Sequence, residues 1–273
     1  MYIYSGLYIA IAAALSTSAL SETASTCATA GDNTTTGAVS AIRRPVMYFI
    51  GDSLTARGTN PGNRGWIALM QNRYVKSADV VSRGLSGYNT QWFIDTALPT
   101  IEKEVKDLRS NSLITLWLGT NDAALPTRSH ARQHVPLAAY KKNLIKIVRT
   151  LQTAAPDAEI LLITPSYVDE ATLKSRSSKG LPERTNEAAG KYARACVDAG
   201  KELGTHVLDL YSFFQTLPEA ERPENLSDGL HLSRRGNHIV YEQLRSKIIK
   251  AFPDFAKQLD VSQFPPFSAF TDA

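Results

Sequence analysis

Cysteine is nearly absent: Cys27 and Cys196 are the only two in 273 residues. Two thiols cannot build a disulfide framework. They read as unrelated thiols, with a single pairing between them as the alternative. No apolar run reaches the roughly 20 residues that a membrane-spanning helix needs. The run Tyr2–Leu15 comes nearest and falls short. No Gly-x-Ser-x-Gly occurs, which excludes the strained strand-to-helix elbow that many hydrolases use to present a serine. No stripe interleaves basic with aromatic residues, so a net charge of +4 does not point to nucleic acid. Acids are scattered among the bases instead. Metal-ligand spacing is also missing. His130 and His134 stand four apart, but no Glu lies between them and Pro136 follows, so no metal site is expected.

The first 42 residues carry only Glu22 and Asp32 as charges and are rich in Ala, Ser and Thr. Tyr2–Leu15 has the length of a signal-peptide core, and Thr17-Ser18-Ala19 would serve as a cleavage site. No Lys or Arg precedes that core, which leaves an unstructured extension as the other reading. A cleaved leader of about residues 1–19 would make the protein secreted or place it in the secretory route; otherwise the expectation is cytoplasmic. Two Asn-x-Ser/Thr triplets, at Asn33 and Asn225, would matter only on the secretory route.

What is present, from Pro45 onward, is an alternation of strand and helix patterns without repeats or an inner linker. With 43% hydrophobic residues the chain can bury one sizeable core. Short continuous apolar runs at Val46–Ile50, Val80–Leu85, Leu113–Leu118, Ile160–Thr164 and His206–Leu210 predict five strands buried on both faces. Amphipathic stretches lie between them, the clearest built on Tyr140, Leu144, Ile147, Val148 and Leu151. Others run over about 66–74, 91–108, 186–203 and 234–251. This alternation means βαβ units, hence an α/β fold with a parallel sheet and helices on both faces. Residues 171–184 read as a basic surface loop.

Ligands of such sheets bind at the carboxyl ends of the strands. The residues that follow the strands are Gly51-Asp52-Ser53-Leu54, Ser86-Gly87, Gly119-Thr120-Asn121-Asp122 and Thr164-Pro165-Ser166, with Asp228-Gly229-Leu230-His231 in a later loop. Ser53 could be a nucleophile or simply a helix N-cap. His231 stands three residues after Asp228, a spacing that lets a turned loop bring carboxylate to imidazole; Asp-Gly is also an ordinary turn. Gly87 and Asn121, with the Ser53 amide, could supply oxyanion donors. A positive φ for the glycine and a capping role for the asparagine are the plainer alternatives. His206 and His238, within a strand and a helix, read as structural.

These blocks resemble the SGNH, or GDSL-type, hydrolases. "GDSL" at Gly51–Leu54, "RGLSGYNT" at Arg83–Thr90, "LGTND" at Leu118–Asp122 and "SDGLHLS" at Ser227–Ser233 stand in the family order. "SGYNTQW", "NDAALP", "QHVPL", "ERTNEAAGKYARAC" and "LSDGLHLSRRGN" are similar to the isoamyl acetate-hydrolysing esterase branch, in which His134 belongs to a branch motif. The resemblance implies a three-layer α/β/α sandwich around a mostly parallel five-stranded, flavodoxin-like sheet. It implies a hydrolase domain over 45–252, an extension over 1–44, and a tail over 253–273 that packs on the domain. It further implies a carboxylic ester hydrolase with Ser53, His231 and Asp228 as triad and Ser53, Gly87 and Asn121 as oxyanion hole. Acetate esters of small alcohols would be the substrates, with no metal or cofactor. No nucleic acid, no membrane span and no partner beyond the small ester is implied, and the oligomeric state stays open. Carbohydrate O-acetyl esters, lysophospholipids and thioesters are the alternative substrates for the same machinery. A hydrolase-like binding protein without turnover is the non-enzymatic alternative.

Overall fold

Val46–Gly51 forms β1, whose side chains alternate between two cores: Met47 and Phe49 point to one face of the sheet, Tyr48 and Ile50 to the other. The computed structural model describes residues 44–108 and 111–270. The expected leader, Cys27 and the Asn33 triplet therefore lie outside the described residues. Around β1 stand β2 (Asp79–Gly84), β3 (Ser112–Trp117), β4 (Glu159–Ile163) and β5 (His206–Leu208). Every pairing is parallel, in the order β2-β1-β3-β4-β5, with Met47 opposite both Val80 and Leu113. This is the doubly wound flavodoxin-like order, whose chain direction switches between β1 and β3.

The helices are α1 (Ser53–Ala56), α2 (Trp66–Arg73), α3 (Thr90–Trp92), α4 (Leu98–Val105), α5 (Leu137–Ala154), α6 (Glu170–Arg176), α7 (Asn186–Leu203), α8 (Leu210–Thr216), α9 (Arg234–Ala251) and α10 (Pro253–Leu259). Helices α4, α5 and α7 cover the Tyr48 face, and α2, α9 and α10 cover the Phe49 face. In α5 the buried residues are the five that the periodicity picks out, Tyr140, Leu144, Ile147, Val148 and Leu151. Each large side chain fully withdrawn from water stabilises the fold by about 1.5–3 kcal/mol. Phe49, Trp66 and Trp117 pack ring on ring beneath the end of β1, with centroids 5.0 and 5.9 Å apart.

Four expectations are corrected. β2 is an edge strand and only half-buried, with Asp79 exposed, because no strand covers its outer side. The stretch read as one helix over 91–108 is three pieces: α3, a π-helical run Phe93–Ala97, and α4. Pro99 near the start of α4 explains the break, since it has no N–H for a helical bond to Asp95. Residues 171–184 are not wholly a surface loop: α6 occupies most of the first half, and Arg184 is buried. The tail packs through α10, by Phe255 and Leu259, and through the Gln263 N–H, which donates to the Lys76 carbonyl at 3.0 Å, but its aromatic residues beyond α10 do not take part: Phe264, Phe267 and Phe270 are exposed, Phe267 at 82%. Asn225 is buried, its amide donating to the Glu221 and Arg222 carbonyls, so it is no glycan acceptor in the folded chain.

Candidate active site

The chain leaves β1 through Gly51, and the close approach there requires glycine. A Cβ on Gly51 would lie 2.1 Å from Thr55 Oγ1 and 2.7 Å from the Trp117 carbonyl. Ser53 opens α1, but it is not the cap: Asp52 is, accepting from the Leu54 N–H at 2.9 Å. The serine hydroxyl is thereby free for another partner. Ser53 is 7% exposed, so little water competes for it.

That partner comes from the far end of the chain. His231 Nε2 stands 2.9 Å from Ser53 Oγ, and His231 Nδ1 stands 2.8 Å from Asp228 Oδ2. A carboxylate only accepts, so the imidazole proton sits on Nδ1 and Nε2 accepts from the serine. The loop is closed at its base by a Leu226–Leu232 bridge and by the Ser227 N–H donating to the His231 carbonyl at 2.7 Å. Gly229 at φ +86° makes the turn. Asp228 Oδ1 accepts from the Leu230 and His231 backbone N–H groups. Burial works to raise the Asp228 carboxyl, but its bonds from the His231 ring and backbone outweigh that and hold it well below the usual carboxylate range. Arg57 Nη1 adds a looser contact at 3.4 Å to Asp228 Oδ2. Asp228 serves the turn and the imidazole together, so its two readings are both correct.

Gly87 has φ +84°, which meets the plainer reading of a glycine required by its backbone, and it brings no side chain to crowd its own N–H. Asn121 caps nothing: its Nδ2 donates to the Tyr88 carbonyl at 2.8 Å, which leaves a second N–H, and its Oδ1 accepts from Arg184. Ser53, Gly87, Asn121 and His231 open onto one cavity of about 340 Å³. Arg57, Ser86, His130, Gln133, Arg184 and Leu230 complete its wall. Beneath it lie two buried acids. Burial raises both Asp52 and Asp122 to about 7, against the Leu54 N–H on the first and the Thr90 hydroxyl and N–H on the second. The structure thus brings together all five residues that the sequence singled out. It adds Arg184, Gln133 and His130, which sequence reasoning missed as site residues. One signal could have found them. Arg184 and His130–Gln133 precede α7 and α5, and crossover helices of a parallel sheet start at the carboxyl rim.

The other histidines have partners of their own, His130 from the cavity wall and the rest away from it. His134 Nδ1 meets the Ala124 carbonyl at 2.7 Å, while His130 Nδ1 contacts Glu183. Among the described residues no group of three potential metal ligands converges. His206 packs edge-on against Phe252 and His238 stacks on Tyr241.

A hydroxyl, an imidazole and a carboxylate in line, on a cavity that Gly87 and Asn121 also line at the sheet's switch point, form the arrangement of a serine ester hydrolase. The chain belongs to the GDSL-like lipase/acylhydrolase family, whose model matches residues 49–239. It is 42% identical over 214 residues to a GDSL esterase/lipase of Arabidopsis thaliana, covering 76% of this chain and 86% of that protein. It is 35% identical over 211 residues to the human isoamyl acetate-hydrolyzing esterase 1 homolog, covering 76% and 83%. Its fold matches that of a lipase/acylhydrolase from Enterococcus faecalis with a TM-score of 0.55 at 22% identity, over 76% of this chain and 96% of that one. No helix among the described residues is long and apolar enough to cross a membrane.

Proposed function

We propose that the protein hydrolyses short-chain carboxylic esters, acetates of small alcohols above all, through an acyl-enzyme on Ser53. The observation that carries the triad is the relay Ser53 Oγ–His231 Nε2–Asp228 Oδ2, with spacings of 2.9 and 2.8 Å. His231 Nε2 takes the Ser53 proton as Oγ attacks the ester carbonyl, and Asp228 stabilises the imidazolium that results. The oxyanion accepts from the Ser53 and Gly87 backbone N–H groups and from Asn121 Nδ2–H. As the tetrahedral intermediate collapses, the carbonyl–alkoxy bond breaks and His231 returns the proton to the departing alcohol. A water deprotonated by the same nitrogen then attacks the acyl-enzyme. The second collapse frees the carboxylic acid and restores Ser53.

Two observations support a short acyl group. Leu230 is the one aliphatic side chain lining the cavity at Ser53, so a long acyl chain would bury little against it. Relatives at 35–37% identity are named for isoamyl acetate. Hydrolysis of p-nitrophenyl esters of rising acyl length, wild type beside Ser53→Ala, tests both halves of the reading. Turnover should be highest on acetate, decline steeply with chain length and vanish in the variant. Equal or better turnover of long chains would overturn the substrate assignment, and activity retained by Ser53→Ala would overturn the triad.

A further inference from the structure

Arg184 has no place in the chemistry above, yet it is a cation only 3% exposed. Taking a guanidinium out of water is costly unless its donors are matched. Its ion-pair neighbour, Glu183, lies 3.9 Å from Nη1 and is shared with His130 and Ser129. The strong contacts are all to neutral oxygens. Nε donates to the Thr120 carbonyl at 2.8 Å, and Nη2 donates to Asn121 Oδ1 at 2.9 Å and to Gln133 Oε1 at 2.6 Å. Gln133 in turn donates from Nε2 to the Gly87 carbonyl at 3.0 Å. One planar group therefore reaches both the asparagine and the glycine that face the nucleophile, the first directly and the second through one amide.

We propose that Arg184 is the positioning residue of the oxyanion side, acting through Asn121 and Gln133. This rests on the ester-hydrolase reading and extends it. A primary amide can turn over by half a rotation at little cost, which would aim its oxygen, an acceptor, at the developing oxyanion. A guanidinium cannot accept a hydrogen bond, so it fixes Oδ1 toward itself and leaves the Asn121 N–H groups for Tyr88 and the oxyanion. The same logic fixes Gln133, whose oxygen faces Arg184 and whose nitrogen faces Gly87. Hydrogen bonding to a cation also draws charge from the asparagine oxygen and makes its N–H a stronger donor. The guanidinium, whose acidic neighbours at rest are Glu183 at 3.9 Å and the buried Asp52, gains a further negative charge when the tetrahedral intermediate forms. That is stabilisation of the transition state over the ground state. Its location is itself fixed. The Glu183 carbonyl accepts from the Leu125 N–H at 2.9 Å, and Thr185 caps α7 through the Ala188 N–H at 3.1 Å.

The test compares wild type, Arg184→Lys, Gln133→Ala and Asn121→Ala, and each of the first two changes combined with the third. The readouts are kcat and KM on p-nitrophenyl acetate and the inhibition constant of a trifluoromethyl ketone, which mimics the tetrahedral oxyanion. Lysine keeps the charge but not the fork. Arg184→Lys should lower kcat by about 10–10²-fold with KM nearly unchanged, and weaken the ketone by a similar factor. On the Asn121→Ala background most of that loss should disappear, because coupled residues are not additive. Should Arg184→Lys fail to fold, Gln133→Ala carries the same comparison from a partly exposed turn. Unchanged kcat in both variants, a loss confined to KM, or losses that multiply fully with Asn121→Ala would overturn the inference while wild-type turnover stands. A folded wild type that turns over no ester would sink the underlying reading as well.

Discussion

The two halves of the site are built by opposite means. His231 and Asp228, the proposed base and its carboxylate, sit three residues apart on one closed loop, partly open to solvent, and are bonded to each other. The oxyanion half is assembled from the ends of β2 and β3, the turn before α5 and the turn before α7, with Asn121 and Arg184 almost wholly buried. The first half is local and carries its geometry in its own backbone. The second is held only by what surrounds it. Damage to the local half should appear mainly in rate, and damage to the assembled half in rate and stability together.

Asp228→Asn should give the largest effect beyond loss of the nucleophile, a decline in kcat of about 10³–10⁴-fold from the wrong imidazole tautomer. Its oxygen can still accept from the Leu230 and His231 N–H groups, so at neutral pH the midpoint of urea unfolding should fall only modestly, by what the ionised carboxylate contributes. A large shift in that midpoint would show that the loop is not self-supporting. Asn121→Ala should cost about 10²–10³ in kcat. It should also destabilise by about 1–3 kcal/mol, since it orphans a buried donor on Arg184 and the Tyr88 carbonyl. Unfolding as stable as wild type would break the contrast between the halves.

The sequence already separates these halves. Asp228 and His231 are legible because three residues and an Asp-Gly turn fix their relation. Ser53, Gly87 and Asn121 are legible because strands announce themselves by apolar runs, and topology puts strand ends on one rim. All five strands read as continuous buried runs, and β1, β3 and β4 prove so, while β2 and β5, at the two edges, show that an edge can carry the same residues. Arg184 stays hidden because a charge in a polar stretch looks like any solvated loop, and no periodicity tells which loop residue turns inward. Helix α8 hides for a related reason: seven residues, with Asp209 accepting from the Ser212 N–H at its start, give too few turns for a pattern.

The buried acids sharpen the contrast through pH. Asp52 and Asp122 ionise near 7 when folded, against an ordinary value of 3.8. Folding therefore takes up protons between those values. The stability they contribute is fully present below about pH 4 and is lost as pH rises through about 7. Asp52→Asn keeps an acceptor for the Leu54 N–H and should flatten the decline between pH 5 and 7 by up to about 1.4 kcal/mol per pH unit. Urea unfolding at pH 5, 6, 7 and 8 measures it, and an unaltered slope would assign the proton uptake elsewhere. The smallest effect belongs to the rim. Arg57 is more than half exposed and 3.4 Å from Asp228, so Arg57→Ala should change kcat/KM by less than about fivefold. A loss beyond tenfold would make it part of the site.

One distance along the chain sets the order in which the enzyme comes into being. Ser53 and His231 are 178 residues apart, and helix α9, which follows the histidine loop, reaches back to accept the Trp66 N–H through Asn237 Oδ1 at 3.2 Å. A nascent chain therefore exposes its serine long before the ribosome has made the histidine that activates it. On the proposed triad, Ser53 is an ordinary hydroxyl until His231 reaches it, and a fragment that stops short of Ser227 should be inert in the ester assay. On that reading, activity is switched on by completion of the fold, so the acid of turnover itself would report that the histidine loop and α9 have arrived.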